Sequence, residues 1–256
     1  MGTTLVPGWL VPAYMRAAVS AGATADQAQI QSAGQRLLDR WCEPARYFHG
    51  VSHLVDLLQH VDELQQETQR PHVVRLAAWY HGAIFDADER AAYANRGGED
   101  EVASAQYARD ELAALGLPAA SVDKVAALVA GLVRHSTGQG DAAVLSDADL
   151  AILAADPRRY KQYVQSVRAE YSHIPEARYL AARRAIVTKL LGRERIYITP
   201  LCGDWERQAR QNLTAELAWL DRDDERCRLD TAALSSAAVA DAVARDAESA
   251  AAHSAR

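Results

Sequence analysis

The chain has 256 residues and a mass of 27.9 kDa, which fits one large domain plus a tail and excludes a multi-domain machine, because single cores stop growing at about 250–300 residues. Asp and Glu number 34 against 28 Lys and Arg, and the resulting net charge of −6 provides no basic field for a nucleic-acid polymer or an anionic membrane. With 14 glycines, 8 prolines and a hydrophobic content of 49% that leans on alanine, the strongest helix former, the composition predicts an all-α protein.

Pro12 in a first helical turn and the pair Ala25-Asp26 predict the starts of two helices, the second running to about Trp41 and ending before Pro44. A third is expected from near Phe48, with Val51, Leu54, Val55, Leu58 and Val61 at helical spacing. Pro71 opens HVVRLAAWYHGAIF, apolar nearly all round and therefore expected at the centre of a bundle. Residues 86–98 are polar and contain Gly97-Gly98, so a loop of about 13 residues follows, a length more often functional than idle. Further helices are expected near 99–115, 119–135, 147–155, 157–172, 176–192 and 204–221, divided by glycine and proline signals at 116–118, 138–140, 157, 175 and 200. The helical domain is thus 1–220, and 221–256 is a tail: DRDDERCR is a solvated charge cluster. The Ala/Ser/Asp tract that follows, with few large apolar side chains, is expected to be a frayed helix or disordered. Cys42, Cys202 and Cys227 are odd in number and far apart, so free thiols in a reducing cytoplasm are expected. The opening residues lack a signal-peptide pattern, which agrees with a cytoplasmic protein.

Three features carry chemistry. In RYFHGVSHL, His49 and His53 stand at i and i+4; on a helix they share a face, as a metal pair or as two histidines with ordinary hydrogen bonds. His81 lies in the most apolar segment of the chain, where an imidazole must find a partner, and Gly82 beside it points to a close approach or a need for space. In LSDADLAIL two carboxylates begin an otherwise apolar helix; Asp147 is placed to cap it, leaving Asp149 to point inward.

In this order and spacing the residues resemble the HD-domain superfamily of metal-dependent phosphohydrolases, and most closely a bacterial branch of predicted members. The resemblance spans about residues 9–220. It rests on Trp9, R-Y-x-H-x-x-x-H (Arg46, Tyr47, His49, His53), the W-[FY]-H helix ending in Asp86, and an acidic pair before Ser-Ala (Asp100, Glu101, Ser104, Ala105). It continues through D-A-D-L (Asp147 to Leu150), R-x-E-Y (Arg168, Glu170, Tyr171), Arg183, and E-x-x-A-R-x-N (Glu206, Ala209, Arg210, Asn212).

The resemblance implies an HD-domain-like helical bundle with His53, His81 and Asp149 as ligands of one divalent ion (Mn, Fe, Co, Mg or Zn). It implies a small phosphorylated substrate, a nucleotide being the expected class, with no nucleic-acid polymer or membrane as partner; a homodimer is also compatible. Asp86 would orient the attacking water, or else serve only as a cap or solvated loop residue. His49 would act as general acid, since an imidazole donates a proton near neutral pH. His135 would bind substrate phosphate or a weak second metal, or sit against a helix dipole. Arg46, Arg168 and Arg183 would clamp phosphate, or pair with carboxylates at the helix surface.

Two positions depart from the branch: Asp100 stands where asparagine is usual, and His81-Gly82 replaces the His-Asp dipeptide that names the superfamily. The missing aspartate would be the fourth ligand, and an aspartate restored at 82 is expected to enter the same pocket. Its loss leaves a second expectation, a catalytically degenerate HD-like protein that binds a nucleotide or a protein partner.

Overall fold

The computed structural model describes residues 6–86, 98–134 and 139–222; the tail beyond 222 and His135 lie outside them. Among the described residues are ten α-helices and one two-stranded ladder, an all-α fold. The helices are α1 (Leu10–Ser20), α2 (Gln27–Trp41), α3 (Val51–Glu63), α4 (Pro71–Tyr80), α5 (Glu101–Ala114), α6 (Ala119–Gly131), α7 (Asp141–Asp149), α8 (Pro157–Glu170), α9 (Glu176–Leu191) and α10 (203–222). The ladder pairs β1 (Phe85–Asp86) with β2 (Gly98–Glu99), antiparallel, with Phe85 opposite Glu99. No helix among the described residues is long and apolar enough to cross a membrane.

Local chemistry sets several helix starts. Asp26 and Gln29 form a reciprocal capping box on α2, with Gln29 N–H donating to Asp26 Oδ1 at 2.8 Å. Asp156 caps α8, whose first residue is Pro157. α4 is the central helix, packing against α1, α3, α5, α6 and α7. Val74, Leu76, Ala77, Ala78, Trp79 and Tyr80 are fully buried, and each such Val or Leu contributes about 1.5–3 kcal/mol of burial free energy.

Three boundaries differ from expectation, and each difference shapes the site. α3 starts at Val51 rather than near Phe48, because Glu170 accepts hydrogen bonds from the backbone N–H groups of Phe48 (2.7 Å) and His49 (2.8 Å) and holds them in a turn. His49 and His53 therefore do not share a helix. α4 stops at Tyr80, and the chain turns at His81–Gly82 into the ladder, where Ser104 Oγ accepts from Ile84 N–H at 3.0 Å and Ile84 C=O accepts from Asp100 N–H at 3.0 Å. α7 starts at Asp141, after Gly140 at φ +59°, so the D-A-D motif ends a helix instead of beginning one. A 3-10 turn, Leu150–Ala154, follows it and is tied to α10 by Asn212, whose amide donates to Leu153 C=O and Ala155 C=O at 2.8 Å each.

Candidate metal centre

Three helix ends and faces deliver the central cluster. His53 stands on the buried face of α3 among Val51, Leu54 and Leu57. His81 leaves the C-terminal end of α4 with none of its surface exposed, and Asp149 is the last residue of α7. His53 Nε2 lies 3.3 Å from His81 Nε2 and 3.1 Å from Asp149 Oδ1, and His81 Nε2 lies 3.7 Å from Asp149 Oδ1. All three ligand atoms fall within 4.8 Å of one another. Ligands bonded to one ion at about 2.0–2.1 Å are separated by about 3.0 Å in an octahedron and about 3.3 Å in a tetrahedron, so the three residues can hold a metal ion.

The tautomer of His81 follows from its neighbour. Its Nδ1 lies 2.7 Å from Ala78 C=O, and a carbonyl only accepts, so the proton is on Nδ1 and Nε2 presents a lone pair. Burial lowers the His81 pKa, outweighing the opposite pull of Glu99 and Asp149, which keeps the ring neutral, as ligation requires. A further acceptor lies on the His81 side of the cluster: Glu99 Oε1, 3.3 Å from His81 Nε2. That contact has no hydrogen to share, and Glu99 Oε1 is buried without a hydrogen-bond partner.

His49 stands at the mouth of the cluster. Its Nδ1 lies 2.7 Å from Glu170 Oε2, and Glu170 is itself buried. Burial lowers the His49 pKa, but Glu99, Glu170 and Asp149 together raise it further, so the net shift is upward. His49, His53, Glu99 and Asp149 all line one cleft of about 630 Å³, with Tyr163, Tyr171 and Tyr179 on its walls and Arg178, Lys189 and Arg193 also lining it.

Gly82 owes its identity to Trp41. A Cβ at residue 82 would fall 2.9 Å from Trp41 Cζ2 and closer still to Cη2. The indole cannot simply move aside: it is buried at the end of α2, its Nε1–H donates to Trp79 C=O at 3.0 Å, and its ring lies 5.1 Å from that of His81. The expectation that an aspartate at 82 would enter the metal pocket is therefore corrected: indole packing occupies the path its side chain would need.

The other predicted residues are placed as follows. Arg46 is buried between the rings of Trp41 and Phe85 and donates to Gly82 C=O at 2.6 Å, pinning the corner after His81. Arg183 lines the cleft but is held bidentately by Glu216, at 2.7 and 3.0 Å. Arg168 donates to Tyr171 C=O and Ile174 C=O and lies over the Tyr179 ring. Asp86 is exposed at the end of β1. Asp147 is not a cap: it is fully buried inside α7 and accepts from Ile198 N–H (3.0 and 2.9 Å) and Thr199 N–H (2.6 Å).

Sequence reasoning assigned no role to Glu99, Glu170 or Trp41. Glu170 lies within the R-x-E-Y signature and was visible there. Glu99 arrives through a two-residue ladder, too short to leave a periodic trace. Compared with models of known protein families, with curated proteins and with solved structures, the chain shows no match.

Proposed function

We propose that the chain is a metal-dependent phosphohydrolase of the HD-domain kind, acting in the cytoplasm on a small phosphorylated metabolite, a nucleotide being the favoured class. The observation that carries this reading is the convergence of His53, His81 and Asp149 on one point beside His49, whose proton Glu170 holds in place. The all-α bundle and the chain order of these residues agree with the resemblance to that superfamily. A divalent ion bound there would polarise a phosphoryl oxygen and acidify a bound water.

The chain's own residues supply the rest. His53, His81 and Asp149 fix the geometry, and the buried walls around His81 exclude bulk water. Glu170 orients the His49 ring through Nδ1 and favours its protonated form, so that Nε2–H is available to a leaving oxygen. The cationic side chains of Arg178, Lys189 and Arg193 draw an anionic substrate into the cleft, and Tyr163 and Tyr171 offer aromatic faces to a base.

The test is phosphate release by the purified full chain from nucleotides and simple phosphomonoesters, with Mn²⁺, Co²⁺, Mg²⁺ or Fe²⁺ added. Metal-dependent turnover that a chelator stops and His53→Ala abolishes is the expected result. Stoichiometric metal uptake without turnover on any phosphorylated compound overturns the enzyme reading in favour of a binding protein. One observation favours that second reading: Trp41 fills the space next to residue 82 where the superfamily's fourth ligand would stand.

A further inference from the structure

We infer that Glu99 is the fourth protein ligand of the metal centre, taking over from the other side of the cluster the role that position 82 cannot fill. The inference rests on the metal reading above and goes beyond its three residues.

Trp41 makes glycine the residue that fits at 82, so no carboxylate can be supplied from there without displacing a buried indole. Glu99 is supplied instead, by a backbone fixed on both sides. The ladder sets Phe85 opposite Glu99, Asp100 N–H bonds Ile84 C=O, and Asp100 then caps α5 by accepting from Ala103 N–H at 2.8 Å. That register brings Glu99 Oε1 to 3.3 Å from His81 Nε2, a separation expected of two ligands on one ion.

The charges point the same way. His81 Nε2, Asp149 Oδ1 and Glu99 Oε1 are all acceptors. A buried carboxylate oxygen beside a lone pair, with no donor to satisfy it, is unfavourable unless a cation fills the gap. Two imidazoles and two carboxylates form a mixed nitrogen and oxygen set suited to Zn²⁺, Fe²⁺, Co²⁺ or Mn²⁺.

The experiment titrates Co²⁺ into metal-free full-length protein and its Glu99→Gln variant, following the visible d–d bands and the melting temperature. The wild type should bind one Co²⁺ per chain. Removing a neighbour of a ligand costs 10–100-fold in affinity, so removing a direct ligand by Glu99→Gln should raise the Kd by about 100-fold or more and alter the band pattern. The metal-free variant should also melt higher than the metal-free wild type, because its amide can donate to His81 Nε2. A purely structural Glu99 would give a lower melting temperature instead. Unchanged affinity and bands, or a metal-free variant that melts lower or fails to fold, overturns the role of Glu99 and leaves the three-residue site standing. Absence of saturable Co²⁺ uptake by the wild type overturns both.

Discussion

Asp147 and Asp149 stand two residues apart at the end of α7 and meet opposite surroundings. Asp147 is fully enclosed and accepts from two backbone N–H groups of the 198–199 segment, binding that segment to the bundle. Asp149 faces the Nε2 atoms of two buried imidazoles, one of which has its proton on the opposite nitrogen. Glu170 and Glu216 belong with Asp147: the first receives two backbone N–H groups and His49, the second a bidentate guanidinium and the hydroxyl of Tyr160. Glu99 belongs with Asp149. A buried carboxylate surrounded by donors holds the fold, whereas the Glu99 oxygen, buried beside an imidazole lone pair with no donor to satisfy it, holds a place for a cation.

The largest effect that sharpens this contrast is on stability. Asp147→Ala leaves the buried Thr199 N–H and the part-buried Ile198 N–H without an acceptor, at about 1–3 kcal/mol each, so urea denaturation should show a loss of about 2–6 kcal/mol, while the folded fraction still takes up metal. Asp149→Ala should do the reverse, abolishing metal uptake with little loss of stability in the metal-free protein. Similar destabilisation by both variants would erase the distinction.

Next comes the corner at Gly82. Gly82→Ala and Gly82→Asp should each lose about 1–3 kcal/mol or more by overpacking against Trp41, equally with and without added Mn²⁺. Metal-dependent rescue of Gly82→Asp, read as a shift in melting temperature, would show that the indole yields and that a carboxylate at residue 82 can still reach the metal pocket.

A smaller change is expected at His49. Glu170→Gln removes the carboxylate that holds its Nδ1–H, so the His49 pKa, followed by NMR, should fall. The sign follows from linkage. A histidine with a raised folded pKa contributes stability that is complete below its unfolded value of about 6.5 and is lost as pH rises through the folded value. The variant should therefore lose its stability deficit relative to wild type as pH rises through that range. A deficit unchanged across neutral pH would assign Glu170 to backbone capping alone.

The smallest effect is at Asp141. Burial raises its pKa, but Thr68, Lys124 and Arg70 lower it more. A depressed carboxylate contributes stability above its unfolded pKa of about 4, lost as pH falls through the lower folded value. Asp141→Asn should cost under about 1 kcal/mol at pH 7, and in acid denaturation the difference from wild type should begin to shrink at about pH 4 and vanish only once the pH is below the lowered folded value.

The sequence made the bundle legible where chemistry is local: alanine-rich periodicity, the Asp26 start of α2, and Pro71 opening a helix buried all round. The chain order of His53, His81 and Asp149 also pointed to residues that meet. What it hid depended on partners distant in the chain. Glu170 lies 121 residues from His49 yet decides where α3 begins. Trp41 and Gly82 each look ordinary until the end of α2 is laid against the end of α4. Asp147 sat where a cap was expected because nothing nearby shows that Ile198 and Thr199 supply its donors. Arg46 and Arg183 looked like phosphate clamps, and their partners, Gly82 C=O and Glu216, are likewise remote.

Everything proposed for the cleft depends on His53, His81 and Asp149 sharing one divalent ion. Crystals of the full chain grown with Mn²⁺, and data collected for anomalous scattering, test it most directly. One strong peak is expected about 2.0–2.3 Å from His53 Nε2, His81 Nε2 and an Asp149 carboxylate oxygen. The absence of a peak there, with the three side chains still in mutual contact, would contradict it.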